Sequence, residues 1–455
     1  MPPPPTPQAP ATQSGPIRFA TNVAPLEVLA DSALGIALDV ERAVLQGGRR
    51  ADRTLALRLR GRRDLAAPDH RFVSEATFAL LRWRGWIDPL ELRRGDSRVL
   101  LSTLLDSGAV HPACRVWARA IGRDPDRLLA LGDAPTWAAK AEGLRRLLEG
   151  LAITADPWRL FPSWLREHLP LPPGGGSAKV RFADLLRALQ TRPPLWVRAQ
   201  GAEPGKTWDE LKGLGVKPWV HRRITRAAKL EADVDVYHLP PFVRGELEIQ
   251  DLASQAVAMA CDPDPGERWW DACGGAGGKA LHLAALMGGK GLVVATDVVE
   301  RKLKEAVRRA RRSPFRNITT KPWDGRHVPG KTGSFDGVLV DAPCSAVGTW
   351  RRNPDARWSL HPESIAKLAQ LQGQILHAAA AGVRPGGTLV YSVCTITPAE
   401  TVAVVRDFLN AHPAFQLDPF PHPLDDATTD GTLLIWPQDA DSDAMFIARM
   451  VRAGS

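Results

Sequence analysis

From Glu267 to the C-terminus, apolar segments that resemble strands alternate with amphipathic helices, and this alternation restricts the fold more than any other feature. The apolar segments are ERWWDAC, GLVVATD, ITTKPWD, FDGVLVDAPC and GTLVYSVC. Apolar strands joined by helical crossovers are typical of a parallel sheet that is covered by helices on both faces. Ligands of such sheets bind at the carboxyl ends of the strands. The sequence therefore predicts an α/β fold with a doubly wound sheet and a single crevice lined by strand ends.

A glycine-rich segment, DACGGAGGK, follows the first of these strands and precedes a predicted helix. Glycines allow the backbone to approach a ligand closely, and a helix N-terminus offers unpaired N–H groups. The spacing and the following Ala280 do not fit a Walker phosphate-binding loop. This pattern alone leaves a dinucleotide, a phosphate, S-adenosylmethionine and no ligand as alternatives. Asp297, at the end of the second strand, is placed to bind ribose hydroxyls, and Asp324, after the third, to bind an adenine amino group.

The rest of the chain divides by composition into further units. Residues 1–16 are rich in proline and predict a disordered tail. Residues 17–169 have helical periodicity, and residues 170–180 contain a run of prolines and glycines typical of a linker. Residues 181–260 combine a short strand pattern with a helix and predict a small α+β subdomain, which leaves residues 261–455 for the large α/β domain.

The composition is that of a globular protein, with 455 residues, of which 44% are hydrophobic and 24% are charged. No apolar run reaches the length that a bilayer requires, and the N-terminus lacks the pattern of a secretory signal. We therefore expect a cytoplasmic protein that binds no membrane. Five cysteines with no CxxC pair argue against a disulfide framework and against a zinc knuckle, so no metal site is predicted.

The chain has a formal net charge of +9, and its basic residues are clustered. One cluster alone is explained equally well by a solvated helix face, but three clusters favour a nucleic-acid partner. The clusters lie at residues 49–63, at residues 217–229 around Trp219, and at residues 301–326.

Two cysteines follow neighbouring strands of the predicted sheet. Cys344 ends the segment Asp-Ala-Pro-Cys after the fourth strand, and Cys394 ends Tyr-Ser-Val-Cys after the fifth. Because the ends of adjacent parallel strands meet at one edge, both thiols are expected to face the same crevice. Buried free cysteines often serve only as small hydrophobic residues, which is the interpretation for Cys114 and Cys261.

These motifs resemble a known family, the Sun-type RNA cytosine-5 methyltransferases, of which the bacterial enzymes that act on small-subunit ribosomal RNA are typical. The matching segments are VRGELEIQDLASQAVA, DACGGAGGK, ATD, KPWDG, DAPCSAVGTWRRNPDARW, GTLVYSVCTITPAE and LLIWPQDADSDAMFIARM. The resemblance implies a Rossmann-like class I methyltransferase domain, preceded by an all-α NusB-like RNA-binding domain and the small α+β subdomain. The chain has CGGAGGKA where the family more often has CAAPGGKT, and it has Ala346 and Val393 where glycine and threonine are more frequent.

The resemblance also implies the cofactor and the roles of the site residues. The cofactor is S-adenosyl-L-methionine, and Cys394 is the nucleophile that adds to carbon 6 of cytosine. Asp341 binds the N3 edge of the base, and Cys344 assists the release of the product. The residues expected to bind the cofactor are Cys273, Gly274, Gly275, Ala276, Gly277, Gly278, Lys279, Asp297, Asp324 and Asp341.

The substrate is expected to be an unpaired cytosine of RNA, and ribosomal RNA is the first candidate. Arg351, Arg352, Arg357 and the helix from Arg301 to Arg312 are predicted phosphate contacts, and Trp350 or Trp358 either stacks a base or packs the loop. We expect a monomer.

Several other functions fit parts of the pattern. They are methylation of tRNA or another RNA, methylation of DNA through Cys344, and RNA binding without catalysis during ribosome assembly. A nicotinamide oxidoreductase fits least, since no residues for hydride transfer are recognised.

Overall fold

The computed structural model describes residues 24–454 apart from residues 107–109, 125, 127, 129–130, 132–135, 149–155, 202 and 232. The tail predicted at residues 1–16 lies outside the described residues. Within the described ranges, no helix is both long enough and apolar enough to cross a membrane.

The N-terminal part is helical. Its helices are α1 (Leu26–Gly47), α2 (Ala51–Leu59), α3 (Ala67–Ile87), α4 (Gly95–Asp106), α5 (Cys114–Ala120), α6 (Trp137–Leu147) and α7 (Ala178–Gln190). In α3, Phe72, Ala76, Leu80 and Trp83 recur at helical spacing and are buried in one apolar cluster with α1 and α4. The predicted helical domain is confirmed, while its likeness to NusB stays a prediction.

A small antiparallel sheet follows, with strand order β2-β3-β1-β4. Its elements are β1 (Leu195–Ala199), α8 (Pro204–Gly213), β2 (Trp219–Val220), β3 (Ala227–Leu230), α9 (Pro240–Val243) and β4 (Leu247–Ile249). The buried side chains of Val197, Trp208 and Leu211 join the sheet to α8 in a separate apolar cluster.

The large sheet has the strand order β10-β12-β9-β8-β5-β6-β7, with β11 paired to β12. Its strands are β5 (Arg268–Asp271), β6 (Leu292–Asp297), β7 (Ile318–Pro322), β8 (Phe335–Asp341), β9 (Val383–Val393), β10 (Phe415–Leu417), β11 (Thr432–Ile435) and β12 (Met445–Arg452). Its helices are α10 (Leu252–Cys261), α11 (Gly278–Leu286), α12 (Glu300–Arg312), α13 (Ala356–Ser359), α14 (Pro362–Ala380), α15 (Val402–Ala411) and α16 (Pro437–Ala440). Short 3-10 helices occupy Asp88–Leu90, Pro157–Leu160, Ser163–His168, Val236–His238, Val347–Thr349 and Pro398–Glu400.

Alternate residues of the central strands enter separate apolar clusters on the two faces of this sheet. Trp270 and Val340 pack against α14 and α15 on one face, whereas Trp269 and Leu339 pack against α10 and α11 on the other. Successive side chains of a strand point to opposite faces, so a strand covered on both sides must be apolar throughout. The predicted doubly wound sheet is confirmed.

Two helices lie in different units from those predicted. The predicted domain boundaries placed α7 in the linker and the α+β subdomain. In the structure, Leu185, Leu186 and Leu189 are buried in the core of the helical domain. The boundaries also placed α10 in the α+β subdomain, but Ala253 and Val257 pack against the large sheet. In both helices the apolar residues recur at helical spacing, and the nearest unpartnered apolar surface, rather than the sequence neighbour, determines where they pack.

Candidate active site

The order in which the chain adds strands to the large sheet reverses between β5 and β8. The chain runs from β5 through β6 and β7 on one side, and then returns to β8 and β9 on the other. The crevice at such a switch point lies at the carboxyl ends of the strands. A cavity of about 1610 Å³ opens there and is lined by Asp271 of β5 and Asp341 of β8. This exceeds the roughly 300–1,000 Å³ of a common small-molecule pocket, so the cavity has room for a cofactor and a base together.

The glycine loop forms one wall of this cavity. Gly277 has a φ of 85°, and an added Cβ there would lie 3.1 Å from the Cβ of Ala306, so a side chain would be strained and crowded. The helix α11 begins at Gly278, with its N-terminus at the loop. The predicted cofactor residues that line the cavity are Cys273, Gly274, Gly275, Ala276, Gly278, Lys279, Asp297, Asp324 and Asp341, whereas Gly277 supports the turn.

The two carboxylates predicted to bind a nucleoside differ in their surroundings. Asp297 is buried and accepts hydrogen bonds from the backbone N–H groups of Gly275 at 3.1 Å and Val299 at 2.7 Å. Asp324 is exposed and accepts hydrogen bonds from the backbone N–H groups of Arg326 and His327, both at 2.9 Å. The first carboxylate is therefore part of the loop structure, and the second lies on the outer rim.

A third carboxylate, Asp271, was part of the predicted motif but not among the predicted contacts. It is fully buried, lines the cavity, and neither oxygen of its side chain has a hydrogen-bond partner among the described residues. Burial, together with the negative charge of Asp341, raises the pKa of Asp271 to about 7. A buried acceptor without a partner is costly, so a ligand that donates hydrogen bonds or carries positive charge fits this position. The signal for Asp271 in the sequence was its position as an acidic residue at the end of the first predicted strand.

Asp341 is held on both sides by polar groups. One oxygen accepts from the ammonium of Lys279 at 2.8 Å, and the other accepts from the hydroxyl of Ser392 at 2.9 Å. Burial disfavours the charged form of Lys279, but the carboxylate of Asp341 outweighs it and raises the pKa of this lysine. Lys279 therefore places a positive charge between the glycine loop and Asp341.

The two predicted thiols meet at this edge of the sheet. The parallel pairing of β8 and β9 sets Asp341 beside Ser392, and the Sγ atoms of Cys344 and Cys394 lie 3.4 Å apart. Both residues line the cavity and are half-buried. The contact with Cys394, together with burial, raises the pKa of the Cys344 thiol well above its usual value. Cys344 therefore holds its proton and can donate it towards the sulfur of Cys394.

A buried glutamate that the motif analysis missed joins the two cysteine loops. Glu400 is fully buried, and its carboxylate accepts hydrogen bonds from the N–H of Ser345 at 2.8 Å and from its hydroxyl at 2.5 Å. It also accepts from Thr397 at 2.7 Å and from Gln372 at 3.0 Å. Ser345 follows Cys344, and its hydroxyl lies 2.8 Å from that of Thr395, which follows Cys394. A Glu three residues after a Thr-Ile-Thr segment carries no recognised signal by itself.

The arginine- and tryptophan-rich loop after Cys344 is mostly buried, which makes two of the predicted phosphate contacts, Arg351 and Arg357, wrong. Arg357 is fully buried and donates to the backbone carbonyls of Leu160, Leu189 and Trp350 and to the Gln190 side chain at 2.8–3.2 Å. Arg351, which is 1% exposed, donates to the carbonyl of Ser442 at 2.9 Å, and Trp350 is fully buried. Trp358 donates from Nε1 to the carbonyl of Leu81 at 2.7 Å, which favours the packing interpretation for both tryptophans.

Other predicted phosphate contacts have carboxylate partners. Arg352 lines the cavity, but it lies between Asp251 and Asp443, at 3.1 Å from each. In α12, Arg309 and Arg312 both contact the buried Glu248, at 2.7 and 2.5 Å. These arginines attach the small sheet and the loop at residues 441–443 to the large domain. In the part of the chain that is described, no group of three or more His, Cys, Asp or Glu side chains could hold a metal ion.

Comparisons with known proteins agree with this geometry. Residues 258–451 match the model of the 16S rRNA methyltransferase RsmB/F family. The ribosomal RNA small subunit methyltransferase B of Salmonella paratyphi B is 35% identical over 266 residues, which are 57% of this chain and 60% of that protein. The same enzyme of Salmonella heidelberg is 34% identical over the same share. The chain therefore matches three-fifths of the length of these relatives.

Two solved structures share the fold. The crystal structure of PH0851 covers 92% of this chain and 98% of its own, with a TM-score of 0.70 and 24% identity. NSun6 from Pyrococcus horikoshii with SFG covers 65% of this chain and 99% of its own, with a TM-score of 0.54 and 19% identity. Residues 258–451, which carry the paired thiols at the switch point, are therefore similar to the 16S rRNA methyltransferase RsmB/F family.

Proposed function

We propose that this protein methylates carbon 5 of cytosine in RNA, with small-subunit ribosomal RNA as its substrate and S-adenosylmethionine as its methyl donor. The observation that carries the proposal is the 3.4 Å approach of Cys344 and Cys394 beside Asp341 in one cavity. Two thiols and a carboxylate are the groups that an attack on carbon 6 and its reversal require. The relatives named for small-subunit ribosomal RNA support the choice of substrate.

The residues of the cavity fit the donor. S-adenosylmethionine supplies, when bound, a methyl group on a positively charged sulfur. Asp271, buried without a partner among the described residues, suits the ammonium of its amino-acid part. The glycine loop and the N-terminus of α11 offer backbone N–H groups to its carboxylate, and Asp297 faces the space for its ribose. The structure of the fold neighbour NSun6 was solved with SFG.

The protein's own residues then perform the reaction on the base. The Cys394 thiolate adds to carbon 6 of cytosine, and the electron pair of the C5–C6 double bond moves towards N3 and makes carbon 5 nucleophilic. Asp341 binds the N3 edge, and the adjacent ammonium of Lys279 stabilises the electron density pushed onto the ring. Carbon 5 attacks the methyl group with this electron pair, and the electrons of the sulfur–methyl bond that breaks would stay on the donor's sulfur.

Release requires the removal of the carbon 5 proton and the departure of Cys394. The negative charge on the Cys394 thiolate is one of the causes that raise the pKa of Cys344. Formation of the C6–S bond removes that charge. Cys344 then gives its proton to solvent in the open cavity and, as a thiolate, takes the proton from carbon 5. The freed electron pair restores the C5–C6 double bond, and Cys394 leaves as a thiolate.

The adduct distinguishes the two cysteines. We expect Cys344→Ala to accumulate a covalent protein–RNA species that survives denaturing electrophoresis, because addition proceeds and release does not. We expect Cys394→Ala to give neither adduct nor methylated RNA. Cys261→Ala, which removes a buried thiol of the same domain that does not line the cavity, is the matched control and should give neither an accumulated adduct nor a loss of methylation.

Two results would contradict the proposal. An adduct in Cys394→Ala and none in Cys344→Ala would assign the nucleophile to Cys344. Binding of ribosomal RNA by the wild type without transfer of a labelled methyl group would favour an assembly factor. Bisulfite sequencing of total RNA with and without the protein names the methylated cytosine, and a lost site in tRNA instead would replace the ribosomal substrate.

A further inference from the structure

The edge of the small sheet carries an exposed tryptophan. Trp219 lies in the edge strand β2 and is 56% exposed. The structure describes all 15 tryptophans of the chain, and the other 14 are buried or half-buried. A large aromatic ring normally contributes more to stability when it is buried. Its position on the surface therefore needs another explanation than packing.

The ring of Trp219 rests on a fixed base. It meets Trp196 edge to face, with ring centres 5.9 Å apart, and His221 in the same way at 6.2 Å. Trp196 is buried and donates from Nε1 to the carbonyl of Asp441 at 3.0 Å. His221 accepts the backbone N–H of Ile224 at 3.1 Å, which orients its ring. These contacts fix the indole before any ligand arrives, which reduces the entropy that binding must overcome.

Positive charge surrounds this ring. The ammonium of Lys229 lies 5.1 Å from the ring centre. Lys217 and Arg222 are exposed, and neither has a carboxylate partner among the residues that the structure describes. Arg223 pairs with Asp426. An exposed aromatic ring beside cations such as Lys217 and Arg222 is the arrangement that binds single-stranded nucleic acid, where the ring stacks on a base and the cations contact phosphates.

The loop that supports Trp219 also reaches the active-site cavity. Asp441 holds Trp196 through its carbonyl, and its carboxylate lies 3.6 Å from Lys229. Two residues further, Asp443 lines the cavity and contacts Arg352. Two residues of extended chain span at most about 7 Å, so the basic edge adjoins the rim of the cavity.

We propose that Trp219 is a stacking platform for an unpaired base of the substrate RNA, next to the stretch that contains the target cytosine. Lys217 and Arg222 bind the phosphates on either side of that base. This inference rests on the proposed function for the RNA substrate and adds a recognition site outside the cavity. A flat, exposed indole with fixed orientation suits a base better than the flexible carboxylates of an acidic peptide.

The test uses the full-length protein and a short single-stranded RNA that contains the target cytosine and its flanking nucleotides. We expect Trp219→Ala to raise both the Kd for this RNA and its KM by roughly 5- to 150-fold, the range for loss of one stacked base. The kcat at saturating RNA should stay the same, because Trp219 lies outside the cavity. Trp219→Phe keeps an aromatic ring and should recover most of the affinity.

Tyr237→Ala is the matched control. Tyr237 is also an exposed aromatic residue of the small subdomain, 67% exposed, but Glu231, Asp233 and Asp235 precede it instead of cations. We expect it to bind RNA as the wild type does. A duplex of the same sequence offers no unpaired base, so wild type and Trp219→Ala should bind it equally.

Several outcomes would overturn the inference, and they differ from a failure of the proposed function. If the wild type methylates RNA and Trp219→Ala keeps the same Kd and KM, the stacking site is wrong and the methyltransferase stands. If Trp219→Ala instead weakens only the binding of poly-glutamate, the edge binds acidic protein. A third outcome is that Trp219→Ala binds the RNA more weakly than the wild type does, while the wild type transfers no methyl group. The stacking site then stands and the proposed activity fails.

Discussion

The loop at residues 350–358 and the sheet edge at residues 217–229 have similar side chains with opposite environments. In the loop, Trp350 and Arg357 are fully buried between the helical domain and the large sheet. At the edge, Trp219 and Arg222 are exposed. The guanidinium of Arg357 binds protein carbonyls, whereas that of Arg222 is exposed and has no carboxylate partner among the residues that the structure describes. Two segments of similar composition thus differ in the partners available to the guanidinium: in one it joins two parts of the protein, and at the other we propose that it binds RNA.

The largest effect is expected from Arg357→Ala. Its removal leaves four buried acceptors without donors, and each such loss costs about 1–3 kcal/mol. We expect the free energy of unfolding to fall by about 3 kcal/mol or more, measured as a shift of the urea midpoint. Arg222→Ala, the exposed counterpart, should change it by less than about 0.5 kcal/mol while weakening RNA binding. Equal midpoints for the two variants would remove the distinction between buried and exposed segments.

The next effect concerns Glu400, a buried charge at the cavity rather than at the domain boundary. Glu400→Ala removes the acceptor shared by the two cysteine loops, and we expect a loss of about 2 kcal/mol in unfolding free energy. Glu400→Gln keeps the shape but removes the charge. The contact with Cys394 and burial are the larger causes of the raised pKa of Cys344, and the negative charge of Glu400 adds to them.

Alkylation measures this electrostatic role separately from folding. In a Cys394→Ala background, Glu400→Gln should shift the pH profile for iodoacetamide labelling of Cys344 to lower pH. Glu363→Gln, an exposed glutamate of α14, should leave the profile unchanged. An unshifted profile in Glu400→Gln would mean that this residue acts only through packing.

The smallest effect is the pH dependence of Asp271. Burial, with the charge of Asp341, raises its pKa from 3.8 to about 7, so this carboxyl favours folding most below pH 3.8 and loses that contribution as the pH rises through 7. The ionised form binds a cation, so the affinity for S-adenosylmethionine should increase about tenfold from pH 6 to pH 8. Titration calorimetry checks this, and Asp271→Asn should bind more weakly with no such dependence. The same pH dependence in Asp271→Asn would assign it to another group.

Much of the large α/β domain could be predicted from the sequence, because its signals are local. Unbroken apolar strands require cover on both faces, and a glycine turn before a helix requires no knowledge of distant residues. The adjacency of the strands that end near Cys344 and Cys394 followed from the short, right-handed connections of such sheets. The predicted approach of these two thiols is confirmed by their 3.4 Å separation. The roles assigned to them stay predictions.

The sequence by itself determined the sheet, the glycine loop and the pair of cysteines, since residue type and spacing specify each of them. Only the tertiary structure decided that Arg357 is buried and Trp219 exposed, that α7 joins the helical core, and that Glu400 connects the two cysteine loops. The physical reason is that burial and hydrogen-bond partners depend on surfaces brought together from distant parts of the chain. Arg357 and Leu160, for example, are 197 residues apart, and no local pattern records that contact.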